Sequence, residues 1–203
     1  MASVSRLAGF KPVKSLTASW NGQANMYFVP ATDATVIMVG DLVKLAGSAR
    51  GPLGCPMVTR AVAGDATVGV VVGIPFSGVG DVTNMPPVSN LNPPVFRATL
   101  TDRYLMVIDD PQVIFEVQAS TNAITFTDVG NNANFRATAG NTTTGASGMD
   151  LDVASILTTA TLPLKIMGFP PRPDNVVGTD AFLSVWVKIN NHQYNSGTGT
   201  LGV

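Results

Sequence analysis

The segment Val113-Ile114-Phe115-Glu116-Val117-Gln118 decides the fold class, because apolar and polar side chains alternate along it. A period of two is typical of a β-strand that has one buried face and one solvated face. The pattern predicts that Val113, Phe115 and Val117 face a core and that the two polar residues face water. The preceding Asp109-Asp110-Pro111 is typical of a turn.

A second segment, residues 182–189, has the same period but carries large apolar residues on both faces. The inward set is predicted to be Leu183, Val185, Val187 and Ile189. Phe182 and Trp186 then lie on the opposite face. An apolar outward face of this kind predicts an interface.

The run Val68-Gly69-Val70-Val71-Val72-Gly73 lacks polar alternation altogether. It predicts a strand that is covered on both sides. Its glycines predict either a close approach of another backbone or a β-bulge.

Short apolar runs of this type recur along the chain between clusters of Gly, Pro, Asn and Asp. They predict an all-β fold, a jelly-roll-like sandwich or a small β-barrel with extended loops and terminal arms. The predicted strands are 24–30, 42–45, 57–61, 67–74, 96–99, 104–108, 113–118, 123–127, 163–168 and 181–190.

The organisation predicted around these strands is a single β domain over residues 22–191. An N-terminal arm precedes it at 1–21, and a flexible tail follows it at 192–203. Long loops are predicted at 75–95 and 131–148, whose Gly, Asn, Thr and Pro content offers little to bury. A short helix is predicted over 150–160, with Asp150 as its N-cap.

Composition limits the functional classes. Only 12% of the residues are charged, and the net charge is −1, whereas an ordinary soluble domain is about 25% charged. Near-zero charge gives little self-repulsion, which favours a subunit packed among many copies. Without a run of Lys and Arg we expect no nucleic-acid partner, and without a long apolar run we expect no membrane partner.

The residues that carry most enzyme chemistry are scarce, since the chain has one cysteine, Cys55, and one histidine, His192. Cys55 is predicted to be a buried, inert thiol, and His192 a solvated or interface histidine near a frayed terminus. The pairs Asp109/Asp110 and Asp150/Asp152 could in principle serve a glycosidase, but turn and cap roles are favoured. We therefore expect a protein that is not an enzyme, without cofactors, although calcium shared between subunits is left open.

Four further segments bear on the function: Trp20 to Asp33, Val39 to Gly47, Gly64 to Gly73 and Thr101 to Pro111. These segments resemble those of small virion proteins of tailed bacteriophages. Similar proteins act as capsid cement or decoration proteins, or as minor structural proteins of the virion. The resemblance covers roughly residues 10 to 120.

The resemblance implies an all-β subunit that binds the outer surface of the capsid and stabilises the shell across capsomer joints. Its implied partners are the major capsid protein and further copies of itself, as a dimer or trimer. Its implied location is the virion, assembled in the cytoplasm of the bacterial host. The alternatives are a tail, head-fibre or major capsid jelly-roll component, or a carbohydrate-binding β-sandwich that uses Trp20 or Trp186.

Candidate interface residues are selected for outward-facing apolar side chains, for a place in the predicted arms, or as polar anchors. They are Phe10, Trp20, Tyr27, Arg50, Phe76, Phe96, Arg136, Phe169, Arg172, Trp186 and Tyr194.

Overall fold

The computed structural model describes residues 4–17, 20–50, 54–75, 95–195 and 199–202, without the side chains of residues 48–50. These residues confirm the predicted all-β class, and their helical structure is one 3-10 turn at Phe126–Asp128. The strands are β1 (Lys11–Ser15), β2 (Asn25–Val29), β3 (Ile37–Met38), β4 (Leu42–Arg50), β5 (Pro56–Arg60), β6 (Gly69–Gly73), β7 (Phe96–Arg97), β8 (Arg103–Ile108), β9 (Val113–Gln118), β10 (Asn132–Arg136), β11 (Asp150–Leu157), β12 (Leu164–Gly168) and β13 (Ser184–Ile189).

Five strands of the N-terminal half form a closed barrel, here called the first ring. Their order is β2-β5-β4-β6-β8, and every neighbouring pair is antiparallel except β2 and β5, which are parallel at Phe28 and Met57. Because alternate side chains point inward, the ring encloses its own core. That core includes Tyr27, Val43, Val58, Val71, Leu105 and Val107.

The C-terminal half, together with β1 from the N-terminal end, forms a six-stranded sheet of order β1-β9-β13-β12-β10-β11. The sheet curls back on itself, because Ala119, just after β9, forms a parallel bridge with Leu151 in β11. The Ser120 N–H also donates to the Leu151 carbonyl at 2.9 Å. Strands β9, β11, β10, β12 and β13 are therefore called the second ring, with β1 paired to β9 outside it.

The two rings have the same topology. In each, the strands follow the circular order first, third, second, fourth, fifth along the chain, and the first and third strands meet in parallel. A β-bulge also recurs at the same place. The ladder shifts between Val71 and Gly73 opposite Met106, and between Ile166 and Gly168 opposite Trp186. These shared ladders align the two halves residue by residue.

The first ring packs against the second through one cross-strand row of its outer face. The row consists of Ala24, Ile108, Val70 and Leu42, of which the last three are at most 1% exposed. These side chains join the core of the second ring. The predicted double covering of the 68–73 run is confirmed, because Val70 faces the second ring while Val71 faces the interior of the first.

The glycines of the 68–73 run allow the close backbone approach and the β-bulge that the sequence predicted. A Cβ at Gly69 would lie 2.0 Å from the Ile108 carbonyl oxygen, so only glycine permits this approach of the backbones. Gly73 ends the bulge opposite Met106.

A buried ion pair lies where the rings join. Asp41 is fully buried, and its carboxylate accepts hydrogen bonds from Arg60 Nε at 2.9 Å and from the Ser147 hydroxyl at 2.5 Å. The same guanidinium donates to the carbonyls of Ala137 and Thr138, which follow β10. Since Asp41 and Arg60 belong to the first ring and the other residues to the second, this cluster fixes one ring against the other.

Three secondary-structure predictions were wrong. Residues 150–157 form β11 instead of a helix. The ladder steps from Asp152 opposite Asn134 to Leu157 opposite Asn132, so extra residues of β11 interrupt its period of two. The predicted loop 131–148 contains β10. The predicted strand 123–127 gives way to the 3-10 turn, where the Asp128 carboxylate accepts hydrogen bonds from the N–H and hydroxyl of Thr125, both at 2.8 Å.

The predicted terminal arms contain ordered structure. β1 lies within the predicted arm 1–21, and β3 was not predicted. His192, predicted to begin a flexible tail, is fully buried and bridges Thr67 of the first ring. The predicted loop 75–95 lies outside the described residues except at its two ends. The described part of the chain contains no helix that could cross a membrane.

Candidate functional site

The outer face of the second ring carries a row of cationic side chains. Lys14 of β1 pairs with Ile114 of β9, Ile114 with Lys188 of β13, and Lys188 with Lys165 of β12. Paired residues share one face of a sheet, and neighbouring strands lie about 5 Å apart. Three lysines are thus aligned across four strands. We call these residues, together with Trp186, the basic face.

Trp186 anchors the basic face next to the lysine row. Its ring is partly buried, and the Lys14 ammonium lies 4.3 Å from the ring centroid, a cation–π contact. The indole N–H is buried and has no hydrogen-bond partner among the described residues. The predicted outward orientation of Trp186 is confirmed, since its strand neighbours Val185 and Val187 are fully buried.

The lysines of the basic face have no carboxylate partner among the described residues. Lys188 donates to the Gln112 side chain at 3.3 Å, and Lys165 donates to the carbonyls of Gly130 and Leu201. Burial lowers the pKa of Lys165, and the charge of Lys188 lowers it further. The like charges of Lys165 and Lys188 lie directly opposite each other, and such pairs destabilise a sheet. Binding of an anionic partner would therefore reduce this repulsion.

A polar groove of about 460 Å³ borders the basic face. Arg172 closes one side by binding Glu116 through two hydrogen bonds, at 2.7 and 2.8 Å. Arg6, Lys11 and Asp174 also line it. Cations outnumber acids along its walls, so the groove continues the positive character of the basic face.

An exposed phenylalanine, Phe126 of the 3-10 turn, packs on the partly buried Phe169, which follows β12. Phe126 is 72% exposed, and its ring contacts the Phe169 ring edge to face, with centroids 5.8 Å apart. Phe169 follows Gly168, which pairs with Trp186. An exposed phenylalanine that packs on another aromatic side chain is typical of surfaces that bind other proteins.

The histidine lies in a buried network between the rings. His192 Nδ1 accepts the Tyr194 N–H at 3.1 Å, and Nε2 is buried without a partner among the described residues. Burial lowers the pKa of His192, although the Asp109 carboxylate opposes this effect. The predicted solvated or interface position of His192 was therefore wrong.

The other titratable groups of this network are hydrogen-bonded to one another. Asp109 accepts the Tyr27 hydroxyl at 2.7 Å and the Asn25 amide at 2.8 Å. The Tyr27 hydroxyl also lies 3.2 Å from the Tyr194 hydroxyl. Burial raises the pKa of Tyr27, as do its hydrogen bonds to Tyr194 and Asp109.

The aspartates considered for catalysis make hydrogen bonds and ion pairs that stabilise the fold. Asp110 accepts the Gln112 N–H at 2.8 Å, which confirms the predicted turn. Asp150 is 1% exposed and pairs with Arg136, so its predicted N-cap role was wrong. Within the described ranges no group of three or more His, Cys, Asp or Glu side chains could hold a metal ion.

The predicted interface residues are divided by the structure into distinct environments. Phe10, in the predicted arm, and Tyr27 were selected for outward apolarity or a place in an arm, but both are 2% exposed core residues. Phe10 packs on Phe135, and Tyr27 points into the first ring. Trp20 and Phe96 are partly buried. Tyr194 is 50% exposed.

The remaining candidates are the three arginines and Phe76. Arg136 and Arg172 are exposed and bind Asp150 and Glu116. The side chain of Arg50 and the whole of Phe76 lie outside the described residues. Cys55, predicted to be buried, is half-buried, and this burial raises the pKa of its thiol.

The sequence predictions missed the lysine row and Phe126. Lys165 and Lys188 lie on the outward positions of predicted strands, so strand alternation could have identified them. Their alignment with Lys14 follows only from the ladder, because β1 was not predicted. The chain matches no protein-family model, no curated protein and no solved structure.

Proposed function

We propose that this protein is a structural subunit of a tailed-phage virion, a capsid cement or decoration protein that docks on the outer surface of the shell. The basic face of the second ring is the docking surface. The resemblance of four sequence segments to phage virion proteins supports the assignment to a particle. The partner is the major capsid protein.

One observation carries the choice of surface. In the first ring, the row Ala24, Ile108, Val70 and Leu42 is the surface through which that ring packs on its neighbour. The corresponding row of the second ring contains Lys188 and Lys165. The chain thus already packs one ring on the other through this row, and in the second ring the same row carries partly exposed cations.

The chemistry of the basic face indicates what it binds. Aromatic residues supply contact area at low entropic cost, and lysines without acidic partners favour an acidic surface. We therefore propose that the docked region of the shell protein is acidic, with an apolar pocket for Trp186 or Phe126. Each subunit that buries area across a capsomer joint raises the free energy needed to open that joint.

The first test uses particles that lack this chain. They should assemble but release their DNA at a lower temperature, and adding the purified protein should restore the release temperature. Depleted particles as stable as the complete ones would contradict a cement function.

A matched pair of variants tests the surface. Lys188→Glu reverses a charge on the basic face, and Lys44→Glu reverses one on a comparably half-buried strand lysine of the first ring, which pairs with Asp65. Lys188→Glu should weaken binding to depleted particles by about tenfold or more at low salt, equivalent to about 1.4 kcal/mol, and less at high salt. Equal binding by both variants would exclude the basic face as the docking surface.

A further inference from the structure

The ladder correspondence between the rings reveals an unpaired strand edge in the first ring. In the second ring, the edge of β9 that faces away from β13 pairs over residues 113–116 with β1. The matching residues are 23–26, the first two residues of β2 and the two that precede it, because Met26 opposite Met106 corresponds to Glu116 opposite Trp186. Among the described residues no strand pairs with this edge of β2, whose ladder with β5 is limited to Phe28.

The chain treats these two edges differently. β1, the outermost strand of its sheet, carries Lys11, Pro12 and Lys14 and a bulge between the last two. Lysine, proline and bulges on an edge are the devices by which proteins prevent further strand pairing. Gln23-Ala24-Asn25-Met26 has none of them, and Asn25 and Met26 are exposed.

We propose that the 23–26 edge of β2 pairs with the same edge of a second copy of this chain. The two strands run antiparallel around a twofold axis, as β1 runs antiparallel to β9. This inference does not depend on the capsid assignment.

A second copy is the occupant that the edge chemistry favours. An antiparallel pair of identical strands is self-complementary, so the free N–H and carbonyl groups of each edge can bond to those of the other. The Gln23 N–H already donates to the Asn21 side chain at 3.0 Å, so the pairing rests on the remaining groups. The segment is uncharged, and the net charge of −1 opposes association only weakly. Head-to-tail pairing of β2 with the β1 edge of another copy is disfavoured by the lysines and proline of β1.

The test is the concentration dependence of the oligomeric state, measured by sedimentation equilibrium. The wild-type chain should be in monomer–dimer equilibrium. Met26→Lys places a charged residue on the unprotected edge and should raise the dissociation constant by about tenfold or more. Val13→Lys is the matched control, because Val13 is equally exposed, at 41% against 37% for Met26, but lies on the already protected strand β1.

Hydrogen exchange locates the contact independently of substitution. Raising the protein concentration should protect the backbone amides of residues 23–26, and the amides of β1 should not change. A chain that remains monomeric at every accessible concentration overturns the inference. So does a dimer that Met26→Lys leaves intact and that gives residues 23–26 no added protection.

Discussion

The two rings share a ladder pattern, yet the central pair of their outer rows differs completely. In the first ring the pair is Val70 and Ile108, which are at most 1% exposed because the second ring covers them. In the second ring the corresponding pair is Lys165 and Lys188, both partly exposed. A row of this topology is therefore apolar where the second ring covers it, and cationic where, among the described residues, no neighbouring ring covers it; our proposal places the capsid protein there.

The junction between the rings gives the largest expected effect. Arg60→Ala removes the partner of the fully buried Asp41 and should lower the free energy of unfolding by about 3–5 kcal/mol, because an unpaired charge is left buried. Urea denaturation measures it. Lys44→Ala removes an ion pair nearer the surface and should cost less than about 1 kcal/mol; equal losses would mean that the junction contributes nothing special.

The next effect concerns a position at which the rings differ. Gly69→Ala places a methyl group against the Ile108 carbonyl and should lower the free energy of unfolding by about 1–3 kcal/mol or more. The second ring has Leu164 at the matching ladder position. Gly73→Ala is the control, since its Cβ would meet only Met106 atoms at 3.7 Å or beyond. It should be neutral or stabilise by up to about 1 kcal/mol. Thermal denaturation of both variants compares them.

Acid should weaken the contact between His192 and the first ring. The pKa of His192 in the folded chain is lowered by burial, so below its ordinary value of 6.5 the unfolded chain binds more protons than the folded chain. Stability then falls as the pH falls below about 6.5, by up to about 1.4 kcal/mol per pH unit until the folded pKa is reached. Urea denaturation between pH 7 and 5 measures this slope.

His192→Gln is the matched variant for the acid effect. Its amide oxygen can accept the Tyr194 N–H in place of Nδ1 but does not titrate. The variant should lose most of the slope between pH 6.5 and 5. An unchanged slope would assign the acid sensitivity to other groups.

The smallest effect comes from making the second ring like the first. Lys188→Ile introduces the residue type found at Ile108 and relieves the repulsion from Lys165. It should stabilise the isolated chain by about 0.2–1 kcal/mol at low salt, and less at high salt. Denaturation at two salt concentrations tests this, and a loss of stability would show that the lysine pair is not strained.

The sequence supported the fold where alternation was intact. The alternating strand 113–118 and the double-sided run 68–73 were predicted correctly, because their burial follows from local periodicity. β10 was missed because its buried position 132 is an asparagine, whose amide donates to the carbonyls of Thr159 and Thr200. Such a residue looks like loop in a sequence, since its partners come from distant segments.

The site was less predictable than the fold. Trp186 was identified because its strand alternates, but the lysine row depends on the register of four strands. Few features of the sequence indicate that the two rings share a topology. One is a glycine with positive φ before the second strand of each ring, Gly40 and Gly130. Without the ladders those glycines look like ordinary turns.

A cryo-EM reconstruction of the phage particle tests the central claim most directly. We expect this chain on the outer surface of the shell, with Trp186 and Lys188 of the second ring against an acidic region of the major capsid protein. A reconstruction in which the chain is bound to the shell by another surface, with the basic face open to solvent, would contradict it.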